Sequence, residues 1–247
     1  MNKTVIIIPT RLAAKRLPNK PVKLINNKEM ILHVYEAAIK SKAGEVVVAT
    51  PDQIIVDLIK KNRGNAVLTS NQHETGTDRV YEVFKTFLKS EPEVIINLQG
   101  DMPNIDYKSI SNLADYMAKN TCDVGTLASD FSSIKEKEDI NNVKVVVQNK
   151  ISKDSFKNAL DFFRTNEELD NVYHHIGIYG FTRNSLIKYV GLDRSKLELE
   201  RKLEQLRALE NNMTIHVGYI KSSPLSVDTE EDLKAVQKLM KKWKKIK

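Results

Sequence analysis

Short apolar runs alternate along this chain with longer segments whose apolar residues recur at helical spacing. Residues 4–9, 46–50 and 94–98 are apolar almost throughout, as the buried strands of a parallel sheet are. Residues 30–42 and 52–62 place an apolar side chain every three or four positions, as amphipathic helices do. This alternation predicts a three-layer α/β fold with a mostly parallel sheet and helices on both faces.

The same two patterns predict the remaining elements. Further strands are expected over residues 66–69, 123–127, 143–147, 176–182 and 214–219, and further helices over residues 78–89, 110–119 and 196–211. A last helix begins at Thr229, a good N-cap because three acidic residues follow it. Residues 130–174 are more polar and less periodic. We therefore expect a single domain over residues 1–247, with residues 130–182 forming a flap or a dimer-forming excursion.

Composition is that of a globular protein from a reducing compartment. A hydrophobic content of 41% supports a sizeable core, and the single cysteine, Cys122, excludes an intrachain disulfide. No apolar stretch has the length of a spanning helix, and the apolar run near the N-terminus is too short for a signal peptide. We expect a cytoplasmic protein without membrane insertion.

The net charge of +7 suggests an anionic partner, but its position along the chain weakens that interpretation. Six lysines lie within the last ten residues, where no acidic residue accompanies them. Most of the excess charge is therefore that of a solvated helix end, and we expect no nucleic-acid partner. A phosphate- or membrane-binding patch at this tail is the alternative.

A basic loop follows the first predicted strand. It carries Arg11, Lys15, Arg16 and Lys20 within ten residues and contains two prolines. Ligands of open α/β sheets bind just beyond the carboxyl ends of the strands, so this loop is well placed for a triphosphate. Arginine offers forked hydrogen bonds to phosphate oxygens and lysine a point charge. The alternative is a solvated basic loop, since the common glycine-rich nucleotide fingerprints are missing from the sequence.

Two aspartates far apart in sequence are candidate ligands of Mg²⁺. Asp101 follows the strand predicted over residues 94–98, and Asp228 lies just before the last helix. Mg²⁺ is commonly bound by one or two carboxylates together with phosphate oxygens and water. The two side chains could therefore hold the ion against the α-phosphate region of a nucleotide. A turn aspartate and a capping aspartate are the alternatives.

Several segments, in order along the chain, resemble motifs of the cytidylyltransferases for acidic sugars, most closely those for the sugar acid 3-deoxy-D-manno-octulosonate (Kdo). They are IIPTRLAAKRLPNKP at 7–21, TGTDR at 75–79, NLQGDMP at 97–103, HHIGIYG at 174–180, LEQLR at 203–207 and VDT at 227–229. The resemblance implies transfer of CMP from CTP to Kdo for lipopolysaccharide biosynthesis. It also implies a nucleotidyltransferase fold, Mg²⁺ as cofactor and a homodimer.

The resemblance also implies a role for individual residues. Catalytic roles are expected for Arg11, Lys20, Asp101 and Asp228, of which the two aspartates are the metal ligands. CTP-binding roles are expected for Arg11, Arg16, Lys20, Thr75, Gly76, Thr77, Arg79, Gln99 and Gly100. Sugar-binding roles are expected for Arg164, His175, Tyr179, Glu204 and Gln205. For residues 75–79 and for His175 the alternatives are helix capping by Thr77 or Asp78 and a structural histidine.

The chain departs from the family pattern at a few positions. Ala14 and Met102 replace a serine and a glutamate, the segment after Arg164 is short and acidic, and Arg201 stands where a glutamate is usual. These departures bear on which sugar is the acceptor and on how many metal ions bind, more than on CTP as the nucleotide. The alternatives are a cytidylyltransferase for a related acidic or amino sugar, an inactive homologue, and a basic nucleic-acid- or membrane-surface-binding protein on the same fold.

Overall fold

The computed structural model describes residues 4–14, 16–88, 91–153, 155–165, 167 and 169–246, and for residues 243–246 it describes the backbone alone. The chain divides into two compact units. Unit 1 comprises Met1–Pro92, Asn97–Ser111 and Pro224–Lys247, and unit 2 comprises Glu93–Ile96 and Asn112–Ser223. Within the described part of the chain, we find no helix with the length and apolarity needed to cross a bilayer.

Unit 1 is built on parallel strands flanked by helices. Its elements are β1 (Thr4–Pro9), a 3₁₀ turn (Lys20–Val22), β2 (Leu24–Ile25), β3 (Lys28–Glu29), α1 (Met30–Ser41), β4 (Glu45–Thr50), α2 (Gln53–Lys61), β5 (Ala66–Leu68), α3 (Gly76–Thr86) and, further along the chain, α9 (Glu230–Ile246). The strand β6 (Val94–Leu98) and the helix α4 (Tyr107–Lys119) have residues in both units. The strand β4 pairs in parallel with β1 on one side and with β5 on the other. Every residue of β1 is buried, as expected for an apolar parallel strand.

Unit 2 is built on mixed pairings. Its elements are β7 (Val124–Ser129), α5 (Ile134–Glu138), β8 (Lys144–Val147), β9 (Phe156–Phe163), β10 (Val172–Thr182), α6 (Arg183–Val190), α7 (Lys196–Arg201), α8 (Leu206–Glu210) and β11 (Ile215–Tyr219). The strand β7 is parallel to β11 and antiparallel to β10, while β9 is antiparallel to both β11 and β8. Because β8 also pairs with β10, these five strands form a closed cycle of pairings.

The structure corrects the predicted sheet and one predicted helix. The α/β prediction is confirmed, but the strands of unit 2 are mixed, so the sheet is not mostly parallel. The helix predicted over residues 196–211 is two short helices, because Lys202 has a left-handed backbone (φ 55°) that ends the first one. The strand predicted to begin at Ile176 begins at Val172. The excursion predicted over residues 130–182 lies in unit 2, and its role in a dimer stays a prediction.

Candidate active site

The basic loop after β1 is anchored at its beginning by hydrogen bonds and ends in a short turn. The amide of Thr10 donates to the carbonyl oxygen of Ala49 (3.0 Å), and the amide of Leu12 donates to the Asp52 carboxylate (2.7 Å). Further along, Asn19 adopts a left-handed backbone (φ 58°), and the 3₁₀ turn begins at Lys20. The loop therefore has a defined path while Arg11 and Arg16 stay exposed. Lys15 of the predicted phosphate loop lies outside the described residues.

An apolar cluster in unit 1 brings the C-terminal segment to this loop. Its buried members are Leu17, Ile25, Met30, Val227, Leu233 and Val236, and Met240 packs against them. Leu17 directly follows Arg16, and Val227 directly precedes Asp228. Because both apolar side chains are buried in the same cluster, Arg16 lies beside Asp228. The amide of Val227 also donates to the carbonyl oxygen of Asp101 (2.9 Å). Burial of the cluster thus positions two aspartates that are distant in sequence.

Asp101 and Asp228 meet at the ammonium group of Lys20. Lys20 Nζ lies 3.1 Å from Asp101 Oδ2 and 3.0 Å from Asp228 Oδ1. The other oxygen of Asp228, Oδ2, lies 2.8 Å from Nη2 of Arg16. Burial alone would lower the pKa of Lys20, but the two carboxylates outweigh it and raise that pKa, so the side chain is a cation. The prediction that these residues share one site is consistent with these distances.

The segment after β6 presents an amide with a fixed orientation. Gln99 Nε2 donates to Asn97 Oδ1 (3.0 Å), and Asn97 Nδ2 donates to Thr77 Oγ1 (3.1 Å). This relay orients the Gln99 side chain. A Cβ atom added at Gly100 would lie 3.1 Å from Cβ of Thr10, so only a residue without a side chain fits there comfortably. Gln99 and Gly100 are consequently held against the beginning of the basic loop.

The helix α3 begins at this site with a capping box. Thr75 Oγ1 accepts from the amide of Asp78 (3.1 Å), and Asp78 Oδ2 accepts from the amide of Thr75 (3.2 Å). Capping by Thr77 is therefore not observed; Thr77 is buried and accepts from Asn97 instead. Arg79 is also largely buried, where it donates to Thr69 Oγ1 and to the carbonyl oxygen of Ser70.

These elements of unit 1 enclose an open cavity of about 530 Å³, a size usual for nucleotide and drug-sized ligands. It is lined by the predicted residues Arg11, Arg16, Lys20, Thr75, Gly76, Arg79, Gln99, Gly100, Asp101 and Asp228, and by Pro9, Thr10, Ala13, Ala14, Leu17, His73 and Glu74. Of the predicted nucleotide and metal residues that the structure describes, only Thr77 is not in this lining. His73 and Glu74 were not predicted from the sequence as lining residues. Both directly precede the TGTDR segment, and this position could have indicated that they line the same cavity.

The carboxylate pair fits a divalent cation. One oxygen from each aspartate already converges on a single cationic nitrogen. Among the described residues there is no group of three or more acidic, histidine or cysteine side chains that could form an all-protein cage. Mg²⁺ suits such an incomplete donor set, because it readily takes its remaining ligands from phosphate oxygens and water.

The residues predicted to bind the sugar lie in unit 2, and three of them are buried. Tyr179 Oη donates to Gln205 Oε1 (3.1 Å), and His175 Nε2 shares a hydrogen bond with Thr126 Oγ1 (2.9 Å). Burial lowers the pKa of His175 to about 3, so the ring is neutral at physiological pH. Its contacts are those of a structural histidine, the alternative raised above. The cavity that Tyr179, Glu204 and Gln205 help to line has room for about one water molecule.

Arg164 is held by backbone carbonyl groups. Its Nη1 donates to the carbonyl oxygens of Ile140 (3.3 Å) and Asn141 (2.6 Å). The carbonyl oxygen of Arg164 in turn accepts from Nζ of the buried Lys144 (2.9 Å). The positive charge of Arg164 also contributes, after burial, to lowering the pKa of His175. Asn166, in the segment after Arg164 that departs from the family pattern, lies outside the described residues.

A buried ion pair supports the short segment between α7 and α8 that carries Glu204 and Gln205. Glu198 accepts from Arg207 Nε (2.8 Å) and Nη2 (2.7 Å), and both side chains are almost fully buried. The Arg207 guanidinium also lies over the ring of Tyr189, 4.7 Å from its centroid. Tyr189 Oη donates to the carbonyl oxygen of Glu204 (2.8 Å). These contacts fix the backbone at the predicted sugar residues.

A protein-family model decides which family these features represent. The model described as "Cytidylyltransferase" matches residues 5–215. The chain belongs to the cytidylyltransferase family. The match includes the basic loop, α3, Asp101 and all of the predicted sugar residues, and it ends before Asp228.

Relatives of this cytidylyltransferase are similar to it over nearly their whole length. It is 39% identical over 234 residues to the 3-deoxy-manno-octulosonate cytidylyltransferase of Brucella canis, covering 94% of this chain and 93% of that protein. The enzyme of the same description from Bartonella tribocorum is 38% identical over 242 residues, covering 96% and 98%. That from Rhodospirillum centenum is 39% identical over 238 residues, covering 95% and 92%.

Solved structures confirm the nucleotidyltransferase fold of this cytidylyltransferase. CMP:2-keto-3-deoxy-manno-octonic acid synthetase complexed with CTP is similar with a TM-score of 0.88 and 35% identity, covering 97% of this chain and 98% of that chain. The 4-diphosphocytidyl-2C-methyl-D-erythritol synthase of Anaerococcus prevotii has a TM-score of 0.63 at 15% identity and covers 98% of this chain, which supports the fold alone. The relationship is therefore strong in both sequence and fold.

Proposed function

We propose that this cytidylyltransferase transfers CMP from CTP to Kdo, giving CMP-Kdo and pyrophosphate for lipopolysaccharide biosynthesis. The observation that carries the proposal is the convergence of Asp101 and Asp228 inside a nucleotide-sized cavity lined by basic side chains. The sugar is inferred from full-length relatives that are described as 3-deoxy-manno-octulosonate cytidylyltransferases.

The triphosphate of CTP binds to the basic loop in this proposal. Arg11 and Arg16 are exposed on the cavity wall, where forked hydrogen bonds to phosphate oxygens are possible. Lys20, whose side chain is less exposed than that of Arg16, adds a third positive charge to the same wall. Asp101 and Asp228 would hold Mg²⁺, which when bound would supply positive charge beside the α-phosphate.

The cytosine base lies against the start of α3. Thr75 and Gly76 line the cavity there, and the fixed amide of Gln99 offers both a donor and an acceptor. Cytosine needs such a mixed set because it carries an exocyclic amine beside acceptor atoms. The buried hydrogen bonds of Arg79 and Thr77 to their neighbours indicate that these two side chains shape the pocket.

The acceptor sugar binds to unit 2 through the residues that the family resemblance indicates. Arg164 supplies a cation for the Kdo carboxylate, and Glu204 and Gln205 supply partners for hydroxyl groups. The burial of His175 and Tyr179 gives those two a role in positioning their neighbours. Gln205 Nε2 is buried without a hydrogen-bond partner among the described residues, which leaves its N–H groups as donors for a ligand or water.

The transfer itself is a single displacement at phosphorus. The anomeric hydroxyl oxygen of the sugar forms a bond to the α-phosphorus, and the bond from that phosphorus to the bridging oxygen of pyrophosphate breaks. The hydroxyl proton passes to solvent or to the leaving pyrophosphate. Lys20 and the arginines of the loop stabilise the charge on the leaving group by their position.

An acceptor panel tests the substrate. Purified protein is incubated with CTP, Mg²⁺ and each of several 2-keto sugar acids, including one amino sugar acid, and pyrophosphate release is measured. We expect turnover of Kdo. Turnover of a related acid without turnover of Kdo would reject the substrate assignment.

Variants of the carboxylate pair test the mechanism. Asp101→Ala and Asp228→Ala should each lower turnover by about 10²–10³-fold or more, as loss of a group that stabilises transition-state charge does. Asp57→Ala is the matched control, since Asp57 is an exposed aspartate of unit 1 whose Oδ1 accepts only from Gln53 among the contacts seen here. Unchanged turnover in both variants would reject the metal site.

The quaternary structure is a separate part of the proposal. We expect a homodimer, as the family resemblance implies. Light scattering coupled to size-exclusion chromatography measures the mass directly, and a monomer at all micromolar concentrations would contradict it.

A further inference from the structure

The carboxylate pair of unit 1 already holds cationic side chains. Lys20 Nζ bridges Asp101 Oδ2 and Asp228 Oδ1 at 3.1 and 3.0 Å, and Arg16 Nη2 lies 2.8 Å from Asp228 Oδ2. Both oxygens of Asp228 therefore have a cationic partner. A divalent ion that takes the point where Asp101 Oδ2 and Asp228 Oδ1 converge must displace the Lys20 ammonium group.

We infer that the Lys20 ammonium occupies the position of the divalent ion in the nucleotide-free protein, so that the ion binds tightly only together with CTP. This inference rests on the proposed function, because it takes Asp101 and Asp228 as the metal ligands. It assigns Lys20 a second role besides phosphate binding, that of an internal competitor for the metal.

Charge balance is the first argument. Lys20 and Arg16 carry two positive charges, which Asp101 and Asp228 neutralise. A divalent ion added to this cluster gives it a net charge of about +2 in a partly buried site, which is unfavourable in a medium of reduced dielectric constant. A nucleotide triphosphate brings several negative charges into the same cavity and removes that imbalance.

Restraint of the lysine is the second argument. The Lys20 side chain is only 15% exposed, and it begins a 3₁₀ turn whose next residue is proline. The preceding Asn19 is held in a left-handed conformation. A lysine with this backbone and this burial loses little additional entropy by bridging the carboxylates, so it competes more effectively than a flexible surface lysine.

Exchange of partners follows from the position of the loop. Lys20 and Arg16 both line the cavity that the triphosphate enters, so phosphate oxygens offer both cations new acceptors. The carboxylates are then released to the metal. Linkage requires the effect to be mutual, so the nucleotide strengthens metal binding by the same factor as the metal strengthens nucleotide binding.

Mn²⁺ binding followed by electron paramagnetic resonance tests the inference, because the free ion is measured directly and no turnover is needed. Without nucleotide, we expect the parent protein to bind Mn²⁺ weakly. Lys20→Met should bind Mn²⁺ about tenfold or more tightly than the parent, a factor within the usual range of coupling between sites. Lys20→Arg is the matched control, since it keeps a cation at this position and should bind Mn²⁺ as weakly as the parent.

The arms of the experiment separate the two proposals. Equal, tight binding of Mn²⁺ to the parent and to Lys20→Met without nucleotide would overturn the inference and leave the metal site intact. With CTP added, Asp101→Asn and Asp228→Asn should bind less Mn²⁺ on the protein than the parent does. If they bind as much, the metal site itself is rejected. Lys20→Gln replaces Lys20→Met if the latter does not fold by circular dichroism.

Discussion

Removal of the Glu198 carboxylate is expected to destabilise the protein strongly. Glu198 is fully buried and accepts hydrogen bonds from Arg207, from Arg194 Nε (3.0 Å) and from the amide of Ser195 (3.2 Å). The Arg207 side chain is only 4% exposed, so Glu198→Ala leaves a guanidinium buried without its carboxylate. Loss of one partner of a buried ion pair costs about 3–5 kcal/mol.

This cost corresponds to a large shift of the melting temperature. A chain of this length loses about 2–4 °C per kcal/mol, so we expect Glu198→Ala to melt about 6–20 °C below the parent. Replacing both partners, as in Glu198→Leu with Arg207→Met, should cost much less, because no charge then stays buried. Differential scanning calorimetry of the parent, Glu198→Ala, Glu198→Leu, Arg207→Met and the Glu198→Leu/Arg207→Met double variant measures the melting shifts and the coupling. A shift below about 2 °C for Glu198→Ala, or a double variant less stable than either single one, would refute this reasoning.

The pH dependence of the same variant provides a second check. Burial raises the pKa of Glu198, but the hydrogen bonds and charge of Arg207, with those of Arg194, outweigh burial and lower it below 4.5. A carboxylate whose pKa is lowered on folding stabilises the protein above its unfolded pKa, and that contribution is lost as the pH falls through the folded value. The difference in stability between parent and Glu198→Ala should therefore shrink on acidification below about pH 4.5.

Three further predictions concern other parts of the chain. Folding lowers the pKa of His175 from 6.5 to about 3, so the unfolded chain binds a proton at His175 more readily than the folded protein between these pH values. The parent protein therefore loses stability as the pH falls from 6.5 toward 3. His175→Gln has no such group and should lose less stability over this range, as measured by urea titrations. Gly44→Ala should lower the free energy of unfolding by more than about 1–3 kcal/mol, because the new Cβ would lie 2.0 Å from the backbone oxygen of Thr4. Gly191→Ala is the control: its Cβ would lie 3.5 Å from the nearest backbone oxygens, so its stability in the same titration should be close to that of the parent. Deletion of residues 241–247 should leave CTP turnover nearly unchanged, and a large loss would instead favour a function for the lysine tail.

Patterns of neighbouring residues predicted several elements of unit 1 well, because apolar runs and capping residues are sufficient to specify those elements. Apolar runs gave β1, β4 and β6 nearly to the residue, and a threonine followed by acids gave the start of α9, where Thr229 Oγ1 accepts from the amide of Asp232. Asp101 was placed by its position after a strand. Each of these inferences depends on neighbours in sequence, and tertiary contacts did not override them.

The features that the sequence did not indicate depend on tertiary contacts. The strand β9 reads FKNALDFF, whose apolar residues follow neither period clearly, and it is a strand because β8 and β11 flank it. The helix break at Lys202 comes from a left-handed conformation at a residue that usually favours helices. The pairing of Lys20 with both aspartates depends on a 3₁₀ turn and on the burial of Val227, which no short motif encodes.

The apolar cluster around Val227 also determines when the protein becomes competent during its synthesis. Asp228 follows Asp101 by more than half of the chain, and it is held in place only once Leu233 and Val236 have joined Leu17 and its neighbours. A nascent chain that already contains the basic loop and every strand from β1 to β11 therefore still lacks half of its positioned carboxylate pair. Catalysis therefore requires the first turns of α9 as far as Val236, so a premature stop or a nick before that residue produces a silent protein, whereas loss of residues 241–247 does not.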